Sequence, residues 1–413
     1  MDREKYDVIV VGGGPAGMMA VGTAALRGLR VLILEKNKRL GEKLRITGGG
    51  RCNVTNAEFD NRVLLKNYGE AEPFLYSAFS QFGAKETFDF FEKRGLPLVV
   101  EANKRAFPNT FKAPDVCAVM EKYCDHKNIT IRTGLPVSKI LQEGNKIIGV
   151  VSRGLTYEAD KFIFATGGFS HPETGSTGDS FPWLGLLGHK VKQPTPAIVP
   201  LAVSDTWIKS LAGITLPEVK ITFFVDGKKA FMKVGNILCT HFGMSGPLIL
   251  NSAKQVGDLL HTGEVTATIN LYPKNDLGEI YKLVLDLFDN NKNKTLKNVL
   301  SELVPEGTTK AVLTLLGGVI SETKVHSIKK DERKMIAKLL QALPVKITGL
   351  MGYDRAVVAD GGVLLSEVDM KTMRSKVCEN LFVTGDLLDI NRPSGGFSLQ
   401  LCWTTGFVAG SNV

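Results

Sequence analysis

The sequence predicts an α/β protein: a parallel-sheet domain of Rossmann-like pattern, an antiparallel β region and a small helical region. Three observations predict it. Residues 6–36 read as strand, glycine turn, helix, strand. From Lys190 the texture changes to alternating and β-branched strands, and from Pro273 to Leu343 it turns helical. Two apolar strands near Lys161 and Asn380 come later, and each ends in a turn of small residues. A chain of 413 residues exceeds one ordinary core, so two or three domains are expected.

The opening unit carries the strongest signal. Tyr6-Asp7-Val8-Ile9-Val10-Val11 suits a strand buried on both faces. Gly12-Gly13-Gly14-Pro15-Ala16-Gly17 follows at once and fits G-x-G-x-x-G. Gly12 permits the tight turn, Gly14 lets a pyrophosphate approach the backbone, and Gly17 lets helix and strand pack closely. Pro15 and Ala16 join the cofactor-binding candidates, and the helix read over Met18–Gly28 offers free N–H groups and a positive dipole end to that pyrophosphate. Val31-Leu32-Ile33-Leu34 is the second strand and Glu35 ends it, 18 residues past Gly17. A carboxylate there accepts from both hydroxyls of a ribose and disfavours a 2′-phosphate. The ligand is therefore expected to be NAD-like or FAD-like rather than NADP-like.

The next stretch runs from Lys36 through Lys43 and Arg45 into Thr47-Gly48-Gly49-Gly50-Arg51-Cys52-Asn53. Three successive glycines suit a backbone lying flat against a ligand. Gly49, Gly50, Lys36 and Lys43 join the cofactor-binding candidates, and Arg51 is both a phosphate partner and a catalytic candidate. Cys52 has no obvious base nearby and reads as a packing residue. Residues 57–128 look largely helical, with Phe107-Pro108-Asn109-Thr110-Phe111 as a loop. Strands return between Ile129 and Phe164 and lead into Ala165-Thr166-Gly167-Gly168, where the backbone at Thr166 and Gly167 can touch a dinucleotide. Asp179 is expected to cap a short helix that His189 ends as a cap or surface group.

Asp226-Gly227 signals a hairpin within the antiparallel β region, for which a small barrel is one arrangement. Thr240-His241-Phe242-Gly243-Met244-Ser245-Gly246-Pro247 breaks that region with glycines and puts His241 at its mouth, a second catalytic or substrate-binding candidate. Near the C-terminus, Val383-Thr384-Gly385-Asp386 ends a strand, and Asp386 suits a polyol chain. Ser394-Gly395-Gly396-Phe397 then opens a helix whose dipole, aimed at a flavin ring, would stabilise negative charge on its reduced form. No second G-x-G-x-x-G opens a helix after a strand, so a separate nicotinamide domain is not expected.

Composition bounds the rest. No apolar run reaches the roughly 18 residues a membrane helix needs. The N-terminus enters the first strand directly, without a signal or transit segment. Six scattered cysteines with no C-x-x-C pair argue against zinc, a disulfide framework and a dithiol centre, and for a reducing cytoplasm. No metal ligands are assigned. The net charge of +9 raises an RNA partner as an alternative, but the basic residues are dispersed.

Together V-I-V-V-G-G-G-P-A-G, G-E-K-L-R-I-T-G-G-G-R-C-N, T-H-F-G-M-S-G-P and V-T-G-D-L-L-D-I-N-R-P-S-G-G-F-S-L-Q resemble the BaiN-like bacterial flavoproteins, over nearly the whole chain. The resemblance implies a glutathione-reductase-type FAD domain from residues 1–189 and 362–413, a β-rich substrate domain from 190–272 and 344–361, and a helical domain from 273–343. It implies non-covalent FAD, with Gly12, Gly14, Gly17 and Glu35 holding the ADP half. The backbone near Val137 would meet the adenine, Gly385 and Asp386 the ribityl or pyrophosphate part, and Ser394, Gly395, Gly396 and Phe397 the flavin. The expected activity is that of an oxidase or reductase moving hydride at flavin N5 on a small molecule, with NADH or NADPH as a transient donor. The alternatives are an RNA-modifying flavoprotein and a flavin-bound sensor without turnover.

Overall fold

The computed structural model describes residues 5–413. Contacts divide the chain into two compact units, one running up to Pro196 and resuming at Ala356–Val413, the other Ala197–Arg355.

In the first unit, β1 (Lys5–Val11) pairs in parallel with β2 (Val31–Leu34) on one side and with Leu155–Phe164 on the other. Ile129–Arg132 extends the sheet beyond β2, and Leu381–Val383 lies parallel to Leu155–Phe164. All four residues of β2 and most of β1 are buried, as apolar β-branched runs in a parallel sheet require. Val137–Glu143, Lys146–Ser152 and the start of Leu155–Phe164 form an antiparallel meander. Between β1 and β2, α1 (Pro15–Leu26) is buried on nearly all sides. The terminal helix Phe397–Asn412 explains how: a Cβ on its Gly406 would sit 2.3 Å from Ala16 O, and one on Gly410 would sit 2.5 Å from Ala20 O. Backbone meets backbone, which is why glycines and alanines stand where the two helices touch.

A three-stranded sheet of β3 (Thr55–Asn56), Arg105–Pro108 and Leu98–Glu101 flanks this core. Phe107 and Pro108, expected in a loop, thus end its central strand, with Pro108 at the last position, where a missing N–H is tolerated. Val191–Pro196 pairs with Ala359–Val363, and residues 190–196 and 356–361 belong with the first unit and not with the β region.

In the second unit Leu201–Val203, Gly243–Ser245, Lys228–Thr240, Thr215–Val225, Val265–Asn270 and Leu343–Leu350 close into a barrel. The helices Leu277–Asn290, Thr309–Leu316 and Lys330–Gln341 share one apolar core with it. They form no separate helical domain: each has one apolar face, and that face is buried in the core shared with the barrel.

His189 is not a surface cap. Its side chain is buried between Glu367 Oε2 (3.0 Å from Nδ1) and Ser375 Oγ (2.8 Å from Nε2). Ser375 Oγ accepts from Val377 N and Cys378 N, so its hydrogen points to Nε2, and Nδ1–H donates to Glu367. Burial pulls the imidazole below its usual value, against the opposing pull of Glu367.

Candidate functional site

The first glycine turn is shaped by contacts at both ends and by open space in the middle. Gly12 has φ +106°, and a Cβ there would lie 2.5 Å from Ala165 O. A Cβ on Gly17 would lie 1.9 Å from Gly12 O. Gly14, between them, has nothing within 4 Å of its Cβ position. It caps α1 in an extended conformation, with Pro15 in the first turn. Crowding at Gly12 and Gly17 and vacant space at Gly14 are what a turn that cradles a phosphate requires.

Glu35 sits at the end of β2 and is buried, with Oε2 accepting from Gly13 N (2.6 Å) and Oε1 from Asn37 N (2.7 Å). Two backbone donors fix the carboxylate, and each oxygen keeps a lone-pair direction for a hydroxyl. Leu135 N donates to Glu35 O and Gly134 N to Asn37 O, so the chain entering Val137, itself buried, runs beside this end of the sheet. Lys36 is turned elsewhere: Nζ donates to Asp179 Oδ2 (2.7 Å) and Thr177 Oγ1 (2.5 Å). This also corrects the cap expected at Asp179, whose carboxylate receives Lys36 and Thr177 instead of the helix backbone.

Ala165 N donates to Val11 O, which brings the Ala165–Gly168 turn against the first motif. Thr166 Oγ1 donates to Ser180 Oγ at 2.8 Å, and a Cβ on Gly167 would lie 3.0 Å from Ser176 Oγ. Gly168 abuts Asp386, and a Cβ on Gly385 would lie 3.3 Å from the Ala16 side chain. Three sheet strands thus deliver the Gly12–Gly17, Ala165–Gly168 and Gly385–Asp386 turns to one edge.

Asp386 departs from the expectation of a free polyol ligand. Its carboxylate is paired with Arg392, whose side chain is 1% exposed, and lies 3.5 Å from Lys43 Nζ. Burial alone would push this carboxyl up, but the Arg392 guanidinium and the Lys43 ammonium outweigh it and hold it below the usual carboxylate range. Arg392 also donates to Ile390 O (2.7 Å) and Ser398 Oγ (3.2 Å), and Lys43 to Ser170 Oγ. The three charges leave one net positive charge beside the dinucleotide turns. Sequence reasoning missed Arg392. The available signal was a lone arginine inside an otherwise small, glycine-rich motif.

In the second glycine stretch Gly48, Gly49 and Gly50 all have positive φ, and the Cβ positions of Gly49 and Gly50 are open. Gly50 O accepts from Ala113 N at 2.8 Å. Arg51 is paired with Glu101, its guanidinium 4.4 Å from the Phe107 ring and 4.6 Å from the Phe111 ring. Cys52 is fully buried, and burial pushes its thiol far up, which removes it as a nucleophile. Ser394, Gly395, Gly396 and Phe397 open the terminal helix, and Gly396 has φ +100°. His241 lies in the second unit, exposed on the turn between Lys228–Thr240 and Gly243–Ser245, its ring edge-on to Phe242 at 4.9 Å. Among the described residues no group of three His, Cys, Asp or Glu side chains could hold a metal, and no helix is long and apolar enough to cross a membrane.

A Rossmann-type sheet whose turns leave room for a dinucleotide, with a second glycine pair opening the terminal helix, defines a flavoprotein class: the FAD-dependent oxidoreductases. The model described as "HI0933-like protein Rossmann domain" matches residues 6–412, and the chain belongs to this family. It is similar to the 3-dehydro-bile acid delta(4,6)-reductase of Clostridium scindens, 26% identical over 97% of each chain. It is also similar to the ribosomal RNA dihydrouridine synthase of Escherichia coli, 25% identical over 99% of this chain and 98% of that one. The fold is shared with a 3-ketosteroid-delta4-(5alpha)-dehydrogenase from Rhodococcus jostii, at TM-score 0.51, 15% identity and coverage of 100% and 97%. It is shared too with the E. coli quinol fumarate reductase FrdA, at TM-score 0.55, 14% identity and coverage of 100% and 70%.

Proposed function

We propose that this protein uses FAD to reduce a carbon–carbon double bond conjugated to a carbonyl in a small molecule, with NADH or NADPH as electron donor. The observation that carries the cofactor half is the open Gly14 position between the crowded Gly12 and Gly17, facing the sheet edge where Gly385–Asp386 also ends. The chemistry half is supported by two full-length relatives named for different substrates. A 3-oxo group conjugated to Δ4,6 double bonds and the ring double bond lost on forming dihydrouridine share one feature, an alkene polarised by a carbonyl. FAD, when bound, supplies the hydride acceptor and donor. The chain's own residues do the rest. The N-terminus of α1 and the open backbone at Gly14 hold the pyrophosphate, Glu35 the adenosine ribose, and the backbone near Val137 the adenine. Lys43 and Arg392 offset the negative charge. Arg51, held by its two phenylalanines and Glu101, binds the substrate's carbonyl oxygen.

The test begins with a visible spectrum. Bands near about 370 and 450 nm mark an oxidised protein-bound flavin. Anaerobic NADH or NADPH should bleach them, and an α,β-unsaturated ketone should restore them. Colourless protein that takes up no FAD overturns the reading. So does a flavin that no conjugated alkene reoxidises.

A second reading, reduction of a uridine in RNA, is favoured by the +9 charge and by the E. coli relative's name. It requires RNA binding whose strength falls steeply with salt, and no binding at low salt removes it.

A further inference from the structure

Two stretches some 340 positions apart, 53–56 and 395–400, form one joint with buried Thr55, Asn56 and Gln400 at its centre. With its amide oxygen toward the terminal helix, Asn53 accepts from Gly396 N at 2.9 Å and donates to Thr55 O (3.0 Å) and Ala106 O (3.1 Å). Asn56 Nδ2 donates to Gly395 O (3.2 Å) and Asn103 O (3.1 Å). The two glycines are thus gripped through one N–H and one C=O. A Cβ on Gly396 would fall 2.3 Å from the Thr55 carbonyl carbon, so the turn lies directly on β3. One turn into the helix, fully buried Gln400 directs Oε1 to Thr55 Oγ1 (2.5 Å) and Thr87 Oγ1 (2.9 Å), and Nε2 donates to Thr404 Oγ1 (3.0 Å). Trp403 Nε1 donates to Val54 O at 3.0 Å.

A helix start needs none of these amides for its own sake. Buried amides are costly unless satisfied; those of Asn56 and Gln400 are buried, that of Asn53 is half-buried, and each has at least one partner across the joint. The Gly396 N–H is directed at Asn53 and does not face a ligand. The first-turn N–H groups of the helix have no intrahelical partner and carry the positive end of its dipole. Their aim is set by how firmly Gly395 and Gly396 are held.

We propose that Asn53 and Asn56 are positioning residues. They lock the start of the terminal helix to the strand that continues from the Gly48–Gly50 loop, and so set the reduction potential of the flavin. The inference rests on the FAD reading above. Preorganised donors aimed at a group that gains negative charge on reduction favour its reduced form, and a turn free to swing loses that advantage.

The experiment compares wild-type holoenzyme with Asn53→Ala, Asn56→Ala and the control Thr87→Val, which removes a Gln400 partner without touching the turn. Midpoint potential is read by anaerobic dye-coupled titration, and Tm is read on flavin-free protein. For Asn53→Ala and Asn56→Ala the preference for reduced over oxidised flavin should fall about tenfold, which is a midpoint about 30 mV more negative for a two-electron couple. Thr87→Val should lower Tm and leave the potential where it was. Alanine variants that lower Tm as Thr87→Val does, at unchanged potential, overturn the proposal. Should the alanine variants fail to fold, amide exchange of the wild type decides: protection of 48–56 and 394–400 must rise together on adding FAD, and a rise in one alone overturns the joint. Wild-type protein that takes up no FAD refutes the underlying reading instead, and shows this before any variant is made.

Discussion

Removing the Arg392 guanidinium tests the least expected part of the site. Arg392→Met keeps most of the side-chain volume and leaves the Asp386 carboxylate buried, with Lys43 3.5 Å away as its remaining cation. Breaking a buried ion pair by deleting one partner costs about 3–5 kcal/mol, because the survivor is left uncompensated. Lys43 is 24% exposed and already shared with Ser170, so it recovers only part of this, and the loss should stay near about 3 kcal/mol. For a unit of this size that lowers Tm by about 6 °C. The assay is urea and thermal unfolding of flavin-free protein, so that ligand binding does not enter. Asp386→Asn in the Arg392→Met background removes the stranded charge and should recover most of the loss. A loss below about 1 kcal/mol, or a double variant no more stable than Arg392→Met, would refute the claim that the pair is coupled. The sign with pH follows from the same pairing. The folded-state carboxyl lies below its unfolded value of about 3.9, so the stabilisation is complete above that pH and is lost as pH falls through the folded value.

Other expectations follow from individual positions. Gly17→Ala forces a Cβ to within 1.9 Å of a backbone oxygen and should cost at least about 3 kcal/mol, the upper range for overpacking. Gly14→Ala enters open space at an ordinary φ of −78°, so flavin-free stability should change by less than about 1 kcal/mol. FAD affinity in that variant should fall at least about tenfold, and unchanged affinity would mean that no phosphate approaches there. His189 binds fewer protons folded than unfolded, so stability should rise with pH from the depressed folded value up to the unfolded value of about 6.5. His189→Gln should flatten that slope in pH-dependent urea midpoints, and an unaltered slope would refute the assignment. Replacing Ala197–Arg355 by a short glycine turn should leave a unit that unfolds cooperatively and binds FAD. Pro196 and Ala359 are ladder partners, so the chain leaves and re-enters the first unit at neighbouring points. Failure of this fragment to take up FAD would count against a self-sufficient first unit.

The parts of the fold that were legible in the sequence are those whose causes are local. β1, the turn, α1 and β2 follow one another within thirty residues, and their pattern requires nothing distant. The barrel was legible as strands with a hairpin turn at Asp226-Gly227, but its closure depends on short segments such as Leu201–Val203 that carry almost no signal alone. What stayed hidden is what depends on partners far along the chain. Arg51 looked free because Glu101, Phe107 and Phe111 lie fifty and more positions on. Lys36 stood among the cofactor-binding candidates because nothing near it in sequence showed that the fold would pair it with Asp179. His189 looked like a cap because neither Glu367 nor Ser375 is near it in sequence.

The residues proposed to hold FAD act mainly through backbone and vacant space. Gly12, Gly14, Gly17, Gly49, Gly50, Gly167, Gly385 and Gly396 contribute a conformation, an approach or an N–H, and no functional side chain. Such a site constrains few positions tightly and leaves the rest of the chain free to change, which fits relatives that share the whole length at only 25–26% identity. Side chains that touch substrate are under no such common constraint. Relatives named for a bile acid and for an RNA substrate are then what one cofactor frame should yield, provided both substrates present an alkene polarised in the same way. On the proposed reading Arg51 with its two phenylalanines is the candidate on the substrate side, and its exchange should move specificity without disturbing the flavin.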